Sequence, residues 1–445
     1  MQKSDWKKCK LGDVAEVVGG GTPSTKESLY WNGDVPWLTP KDLSGYNERY
    51  ISHGERNISE EGLDNSSAIL LPASSVLLTS RAPIGYVAIA KNPIATNQGF
   101  KSLVLKKGQY PLFYYYLLKA NVEYIQNMGS GSTFKEVSGG VVKELTFLIP
   151  EYEEQKRIAG ILGSLDDKIE LLQKQNKTLE DMAKAIFKSW FVDFDVVHAK
   201  QKGLPKADIM REYHLTDELY DLFPSDFENS SLGPIPLGWQ VKNVGELLSF
   251  SIGGGWGNEE ESESFPIKAP VIRGTDIPNL RSSGTYSDVP VRFHKKSNHI
   301  SRELKEGDIV LEVAGGSKGQ PVGRALFVSD YIIKSLPNVI CASFCKLLRP
   351  NKKLLLPELF YLCLDMMYQT GEIEQYQVQS TGISNFQFKQ FCEDKQFVIP
   401  NMELQKKLSL NVYIDKIGNN KKQIQTLTEL RDTLLPPLIS GKIRV

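Results

Sequence analysis

Nothing in these 445 residues approaches the roughly 18 uninterrupted apolar residues of a membrane-spanning helix, so no span is expected. Cysteine is scarce and odd in number: Cys9, Cys341, Cys345, Cys363 and Cys392, with no CxxC pair. A disulfide framework and a structural zinc site are therefore both unexpected, and a reducing cytoplasm is the expected setting. The opening MQKSDWKKCKLGD carries basic residues without an apolar segment behind them and does not read as a secretory signal. Net charge is also absent, since 53 Lys and Arg balance 53 Asp and Glu. That weakens any reading as a nonspecific nucleic-acid binder, which is normally basic. It leaves room for basic residues gathered on one face, or for charge supplied by a partner subunit.

Catalytic signatures are missing as well. His53, His198, His214, His294 and His299 show no HExxH or other ligand spacing and read as solvated or structural. No GxxxxGK[ST] phosphate loop occurs, and GGSKGQPVG around Lys318 lacks the spacing. There is no GxSxG elbow and no Asn-Pro-Pro-aromatic tetrapeptide; Pro436 and Pro437 lie in LLPPLI. Glu154-Gln155-Lys156 looks like the tail of a nuclease element, but it opens a helix rather than following an Asp on a strand.

What is present is a repeat. Trp6 precedes KLGDVAEVVGGGTPST, and Trp239 precedes QVKNVGELLSFSIGGGWGN, so glycines 19–21 match glycines 253–255. VPWLTPKDLSG matches APVIRGTDIPN, and AILLPASSVLLTSRAPIGYVAIA matches LKEGDIVLEVAGGSKGQPVGRALFV. YPLFYYYLLKA matches LPELFYLCLDM, and both copies reach an Ile-Pro, at Pro150 and Pro400, before EEQKR or ELQKK opens a helix. Short Val/Ile/Leu/Tyr runs bounded by Gly, Pro and Ser predict strands and turns. The expected class is α+β: a mainly antiparallel sheet with peripheral helices in each copy.

After Pro150, Ile158, Leu162, Leu165, Ile169, Leu172, Asn176 and Leu179 alternate steps of four and three, the a/d seam of a coiled coil. Ile417, Asn420, Ile424, Leu427, Arg431 and Leu434 repeat that spacing less purely. Such a helix either packs on its own globular part or pairs with the other seam. Pairing would make the helices antiparallel, with one asparagine in each seam fixing register. Pro436 and Pro437 are expected to stop the second helix, Gly441 to turn the chain, and KIRV to add to a neighbouring element.

The triple glycines fit a phosphate cradle or plain flexible turns. The polar residues at turns are better candidates for recognition. In the first copy they are Thr22, Ser24, Lys41, Arg81, Asn97, Gln98, Lys101, Ser132 and Lys135; in the second, Arg273, Lys318, Gln320, Arg324, Asn338, Ser380, Thr381 and Asn385. Arg and Lys read guanine, Asn and Gln read adenine, and Ser and Thr suit phosphates. Each is individually an ordinary polar surface residue; their recurrence at matching places is what points to DNA.

On W-x-x-x-x-LGD, GGGTPS, VPWLTPKDL, LLTSRAPIG, IPEYEEQKRIAGILGSLDDKIELL, AIFKSWFVDF and LRDTLLPPLISGKIRV, the whole chain resembles the DNA specificity subunit of type I restriction–modification enzymes. The resemblance implies two target recognition domains in a pseudo-twofold internal repeat, separated by two long helices forming an antiparallel coiled coil. The boundaries would be 1–150, a central helical region 151–198, a linker 199–235, a second domain 236–400 and a C-terminal helical region 401–445. Each domain would read half of a bipartite double-stranded DNA site. The helices would set the gap and recruit two modification subunits that bind S-adenosylmethionine and methylate adenine. Restriction subunits using ATP and Mg would join them, and this chain would itself bind no cofactor and catalyse nothing. The positions matching the family's DNA-facing loops would include Thr22, Lys41, Arg81, Lys135, Arg273, Lys318 and Thr381. The sequence departs from the family pattern at SIGGGWGNEEESES, whose acidic run argues for a solvated loop. An enzyme with an attached recognition domain, and a scaffold binding proteins, are the competing classes.

Overall fold

A computed structural model describes residues 6–46, 48–131, 135–282, 286, 288–315, 320–380, 382–408 and 410–445. The chain forms two compact units, Met1–Glu170 with Thr426–Val445, and Leu171–Gln425.

In the first unit, Lys7–Lys10 pairs antiparallel with Thr146–Ile149, closing the globular part on itself. A five-stranded sheet runs Ala15–Gly19, Lys101–Leu105, Val76–Ser80, Ile84–Ala90, Tyr50–Ile51, antiparallel except for its last pair. Val76–Ser80 is buried at every residue, which suits the uninterrupted run VLLTS to the sheet centre. A smaller sheet places Trp31–Leu38 between Arg56–Ile58 and, in parallel, Ala95–Thr96. The helix Pro111–Ala120 starts with proline at its first turn, where no amide partner is needed. Its residues Leu112 to Leu118 are all buried, as a helix apolar on every side must be.

The second unit repeats this plan except that, among the described residues, the parallel pair of Tyr50–Ile51 with Ile84–Ala90 has no counterpart. Gln240–Asn243 with Gln396–Ile399 matches the closing pair. The order Leu248–Gly253, Cys345–Pro350, Ile309–Glu312, Ala325–Phe327 matches the main sheet. Ile267–Ile272, flanked by Val291–His294 and, in parallel, Ile340–Cys341, matches the smaller one. The internal repeat is thus a repeat of register. Gln155 and Gln405 make it concrete: each donates to the Ile-Pro carbonyl, Pro150 or Pro400, at 2.9 Å, and each accepts a helix-entry amide, Tyr110 or Leu356, at 2.9 Å. The stretch 199–235, read as a linker, carries helices Lys206–Glu212 and Asp217–Leu222 and a hairpin. Its Ile209, Leu215 and Phe223 are buried in the second unit's core.

The first long helix runs unbroken over Tyr152–Phe191. The second comes in two pieces, Met402–Lys407 and Asn411–Ile439. Both alternatives for their packing hold at once. In the first unit Ile158 and Leu162 share a core with Phe113 of the globular part and with Leu438 and Ile439 of the other helix. There Asp166 accepts from Arg431 at 2.7 Å and from the Tyr116 hydroxyl at 2.5 Å. Among the seam residues, Ile158, Leu162, Ile169, Leu172, Asn176, Asn420 and Ile424 are buried, while Leu165, Leu179, Ile417, Leu427 and Leu434 are half-buried.

The two seam asparagines meet inside the second unit, where Asn420 Nδ2 donates to Asn176 Oδ1 at 2.8 Å. Both residues are buried. Replacing Asn420 alone with Val strands the Asn176 amide and should cost about 1–3 kcal/mol. Adding Asn176→Val should recover most of that loss in denaturant unfolding. A second loss added to the first would show that the pair is not coupled.

The prolines do not stop the second helix, which runs through Pro436 and Pro437 to Ile439. Their fixed φ is helical; what they forfeit is two amide bonds and steric ease. Burial of Leu438 and Ile439 in the first unit's core offsets that cost. The stop comes at Gly441, with φ 71°, whose amide donates to Leu438 O at 3.2 Å while Ile443 N donates to Pro437 O at 3.1 Å. A Cβ there would also lie 3.2 Å from Trp6. The tail then docks beside the start of the first helix: Arg444 lies over the Trp6 ring and 3.6 Å from Glu154.

Candidate nucleic-acid interface

The triple glycines decide one question directly. A Cβ on Gly20 would fall 2.2 Å from the carbonyls of Thr96 and Asn97, and one on Gly254 would fall 2.1 Å from Ala342 O and 2.3 Å from Cys341 O. Gly21 N donates to Thr96 O and Gly255 N to Cys341 O, each at 2.9 Å. These glycines let two backbones touch. Their packing corrects both expectations, cradle and flexible turn: the amides at 21 and 255 are already spent within the fold.

This contact places a loop from the glycine side beside a loop from the 96–100 side in each unit. In the first unit, Thr22 hydrogen-bonds Gln98, and both are exposed. Lys101 Nζ donates to Gln98 O at 3.2 Å. Glu136 lies 3.5 Å from Arg81 and 3.6 Å from Lys101, so one carboxylate aligns two cations. Lys135 precedes it in sequence and is exposed. Thr22, Arg81, Gln98 and Lys101 are thereby gathered around one carboxylate and one turn. Lys41 stands on the next turn, in an exposed ion pair with Glu55 at 2.8 Å.

In the second unit, Arg273 is held by Asp276 through bonds of 2.7–3.2 Å and by Asp288 O at 2.9 Å. The Asp276 carboxylate holds the Arg273 guanidinium above its ordinary pKa. Arg324 makes a bidentate pair with Glu312, at 2.8 and 2.6 Å; the Glu312 side chain is buried and that of Arg324 is half-buried. Asn385 is exposed on a strand facing Ala314. Arg273 and Arg324 line one cleft of about 730 Å³ with Trp256, Glu312, Gln320 and Phe344. Ser132, Lys318 and Thr381 lie outside the described residues.

Register also corrects the expectation that the candidates recur at matching places. Leu38 faces Thr96 as Ile272 faces Cys341, so the position of Arg273 corresponds to Thr39. Ser80 O accepts from Val137 N as Val313 O accepts from Phe386 N, which matches Arg81 to Ala314 and Glu136 to Asn385. The charged candidates therefore differ between units, because equal order along the chain does not survive loops of different length. One cation does recur: Lys101, already a candidate, pairs with Gly19, and Lys346, which was missed, pairs with Gly253. The signal lay in KSLVL and KLLRP, legible once strands are aligned to the glycines.

A search for other chemistry is brief. Among the described residues no group of three His, Cys, Asp or Glu is placed to hold a metal ion. All five cysteines are free, and burial pushes the Cys341 and Cys363 thiols up to about 12, away from nucleophilic thiolate. No described helix is long and apolar enough to cross a membrane.

Comparison with known proteins gives one consistent result. The family profile described as Type I restriction modification DNA specificity domain matches residues 3–181. The chain is 36% identical over 450 residues to the type I restriction enzyme MjaIX specificity subunit of Methanocaldococcus jannaschii, covering 99% of this chain and 94% of that one. It is 24% identical over 497 residues to the HindI specificity subunit of Haemophilus influenzae, covering 99% and 100%. Among solved structures, the type I restriction–modification S subunit from M. genitalium shares the fold, with TM-score 0.52 at 15% identity over 99% of this chain and 97% of that one.

Proposed function

The chain belongs to the DNA specificity subunits of type I restriction–modification systems, and from that premise we propose that it reads a bipartite double-stranded site, one half with each unit. The observation that carries this reading is the double use of one scaffold with different side chains at the same place. Thr22, Arg81, Gln98 and Glu136 in the first unit stand where Trp256, Ala314, Ser343 and Asn385 stand in the second. Like frames with unlike side chains suit two unlike short sequences.

In this reading the paired helices set the gap between half-sites and recruit two modification subunits. Those subunits bind S-adenosylmethionine and methylate adenine; restriction subunits carry ATP and Mg. This chain, in the cytoplasm, supplies recognition without catalysis. Thr22, Lys41, Arg81, Gln98, Lys101, Lys135, Arg273 and Asn385 face the DNA, while Arg324 acts from inside its ion pair with Glu312. The domain limits follow the helices: recognition domains at 1–150 and 236–400, helical regions at 151–198 and 401–445.

The test is selection of bound duplexes from a random pool, followed by salt titration. The expected result is one enriched motif of two short parts around a fixed gap, with affinity falling steeply as salt rises, because each phosphate contact releases counterions. No enriched motif would sink the DNA-reading function and favour a protein scaffold.

A further inference from the structure

The cleft of the second unit has no counterpart in the residues of the first. Phe344 is 57% exposed and Trp256 39% exposed, and both line it. The matching position of Phe344 is Gly99: Val313 N donates to Phe344 O at 2.9 Å as Ser80 N donates to Gly99 O at 2.7 Å. A side chain at Gly99 would meet Pro40 at 2.8 Å, so the first unit fills this place where the second leaves room. Trp256 is matched by Thr22, Glu312 by Thr79 and Arg324 by Tyr86. The floor is the Arg324–Glu312 pair, whose side chains are 11% and 3% exposed. Gly274 roofs it closely; a Cβ there would fall 2.4 Å from Glu312 Oε1.

The chemistry of the lining selects an occupant. Arg273 and Arg324 each sit beside their own carboxylate, Asp276 and Glu312. Among the described residues, each of the two cations lining the cleft is thus matched by a carboxylate. The cleft offers two aromatic side chains, and a guanidinium donor next to a carboxylate acceptor. Flat aromatic contact plus a donor–acceptor pair is the recognition chemistry of a nucleobase. A stacked base pair presents only its edge in the groove. Groups as buried as Glu312 and Arg324 are reached by a base that enters the cleft.

We infer that this cleft receives one nucleobase turned out of the duplex within the half-site read by the second unit, an inference that rests on the DNA-reading function proposed above. Unpairing the base costs free energy, and the cost is smaller when the base is already mismatched. The experiment places an abasic site opposite each base of the selected motif, one at a time, and measures binding by the full chain with its modification subunits. At the base that enters the cleft, binding should tighten several-fold. At bases read while paired, it should weaken. An adenine taken up for methylation would also tighten, so the assignment turns on variants. Phe344→Ala and Trp256→Ala, at exposed side chains, should each abolish the tightening at one position of the second half-site. Discrimination at the first half-site should stay unchanged, which shows that the variants are folded. Weakening at every base of the second half-site, or tightening indifferent to both variants, would overturn the inference while leaving bipartite recognition standing. Failure to select any motif would instead strike the DNA-reading function itself.

Discussion

A chain lacking one heptad from each long helix, residues 171–177 and 419–425, is expected to prefer a site whose two halves lie about three base pairs closer. Seven residues of helix are about 10 Å, and base pairs are spaced about 3.4 Å along B-DNA. Removing seven from each keeps both seams in phase and takes out Asn176 and Asn420 together, so no lone amide is left behind. The new spacing also turns one half-site by about a third of the helical repeat, since a turn holds about 10 base pairs. Affinity for the shortened site should therefore fall below that of the original. The check is binding to duplexes whose gap is varied one base pair at a time. An optimum at the original gap would refute the helices as the spacer.

Asp365→Ala should destabilise the second unit by about 3–5 kcal/mol, the cost of stranding buried charge by removing its partner. Asp365 is 1% exposed and lies 2.7 Å from Arg281 and 2.9 Å from Lys184, where the first long helix meets the helix Pro357–Gln369. Gln369 Nε2 also donates to it, at 2.8 Å. Lys421, from the second long helix, adds a third half-buried cation nearby, its ammonium donating to Leu280 O at 2.8 Å. Burial lowers its pKa to about 8, because the charged ammonium loses its hydration there. The comparison variant is Lys41→Ala, whose pair with Glu55 is fully in solvent and should change stability little. Denaturant unfolding of both decides the matter. Equal, small changes would mean that Asp365 is not the residue holding the junction together.

Much of this fold was legible because its signals are redundant. The order of Trp, triple glycine, Ile-Pro and helix recurs twice, and the four-three seam marks both long helices. Even the meeting of Asn176 and Asn420 follows from placing one polar residue in each seam. Other features needed register. Glycine is compatible with a turn, a cradle or a close approach, and only the carbonyls of Thr96 and Ala342 against Gly20 and Gly254 choose among them. Proline signals a helix stop by its missing amide, yet the apolar side chains of Leu438 and Ile439 carry the helix past two of them. Arg324 looked like a free reader of DNA. Its partner Glu312 was visible as the one acid in the apolar strand IVLE, a placement that demands a cation. The stretch 199–235 was opaque for a simpler reason. Its apolar residues are too sparse for a periodic signal, and they are buried only because a core already exists for them.

The central claim is that the chain reads two half-sites at a fixed separation, and a map of N6-methyladenine across the host genome, with and without this gene, tests it most directly. The account predicts that removing the gene erases methylation at one motif, two short specified parts around a constant unspecified gap, and at no other. Loss of a single contiguous motif, or a methylation pattern that does not change, would contradict it.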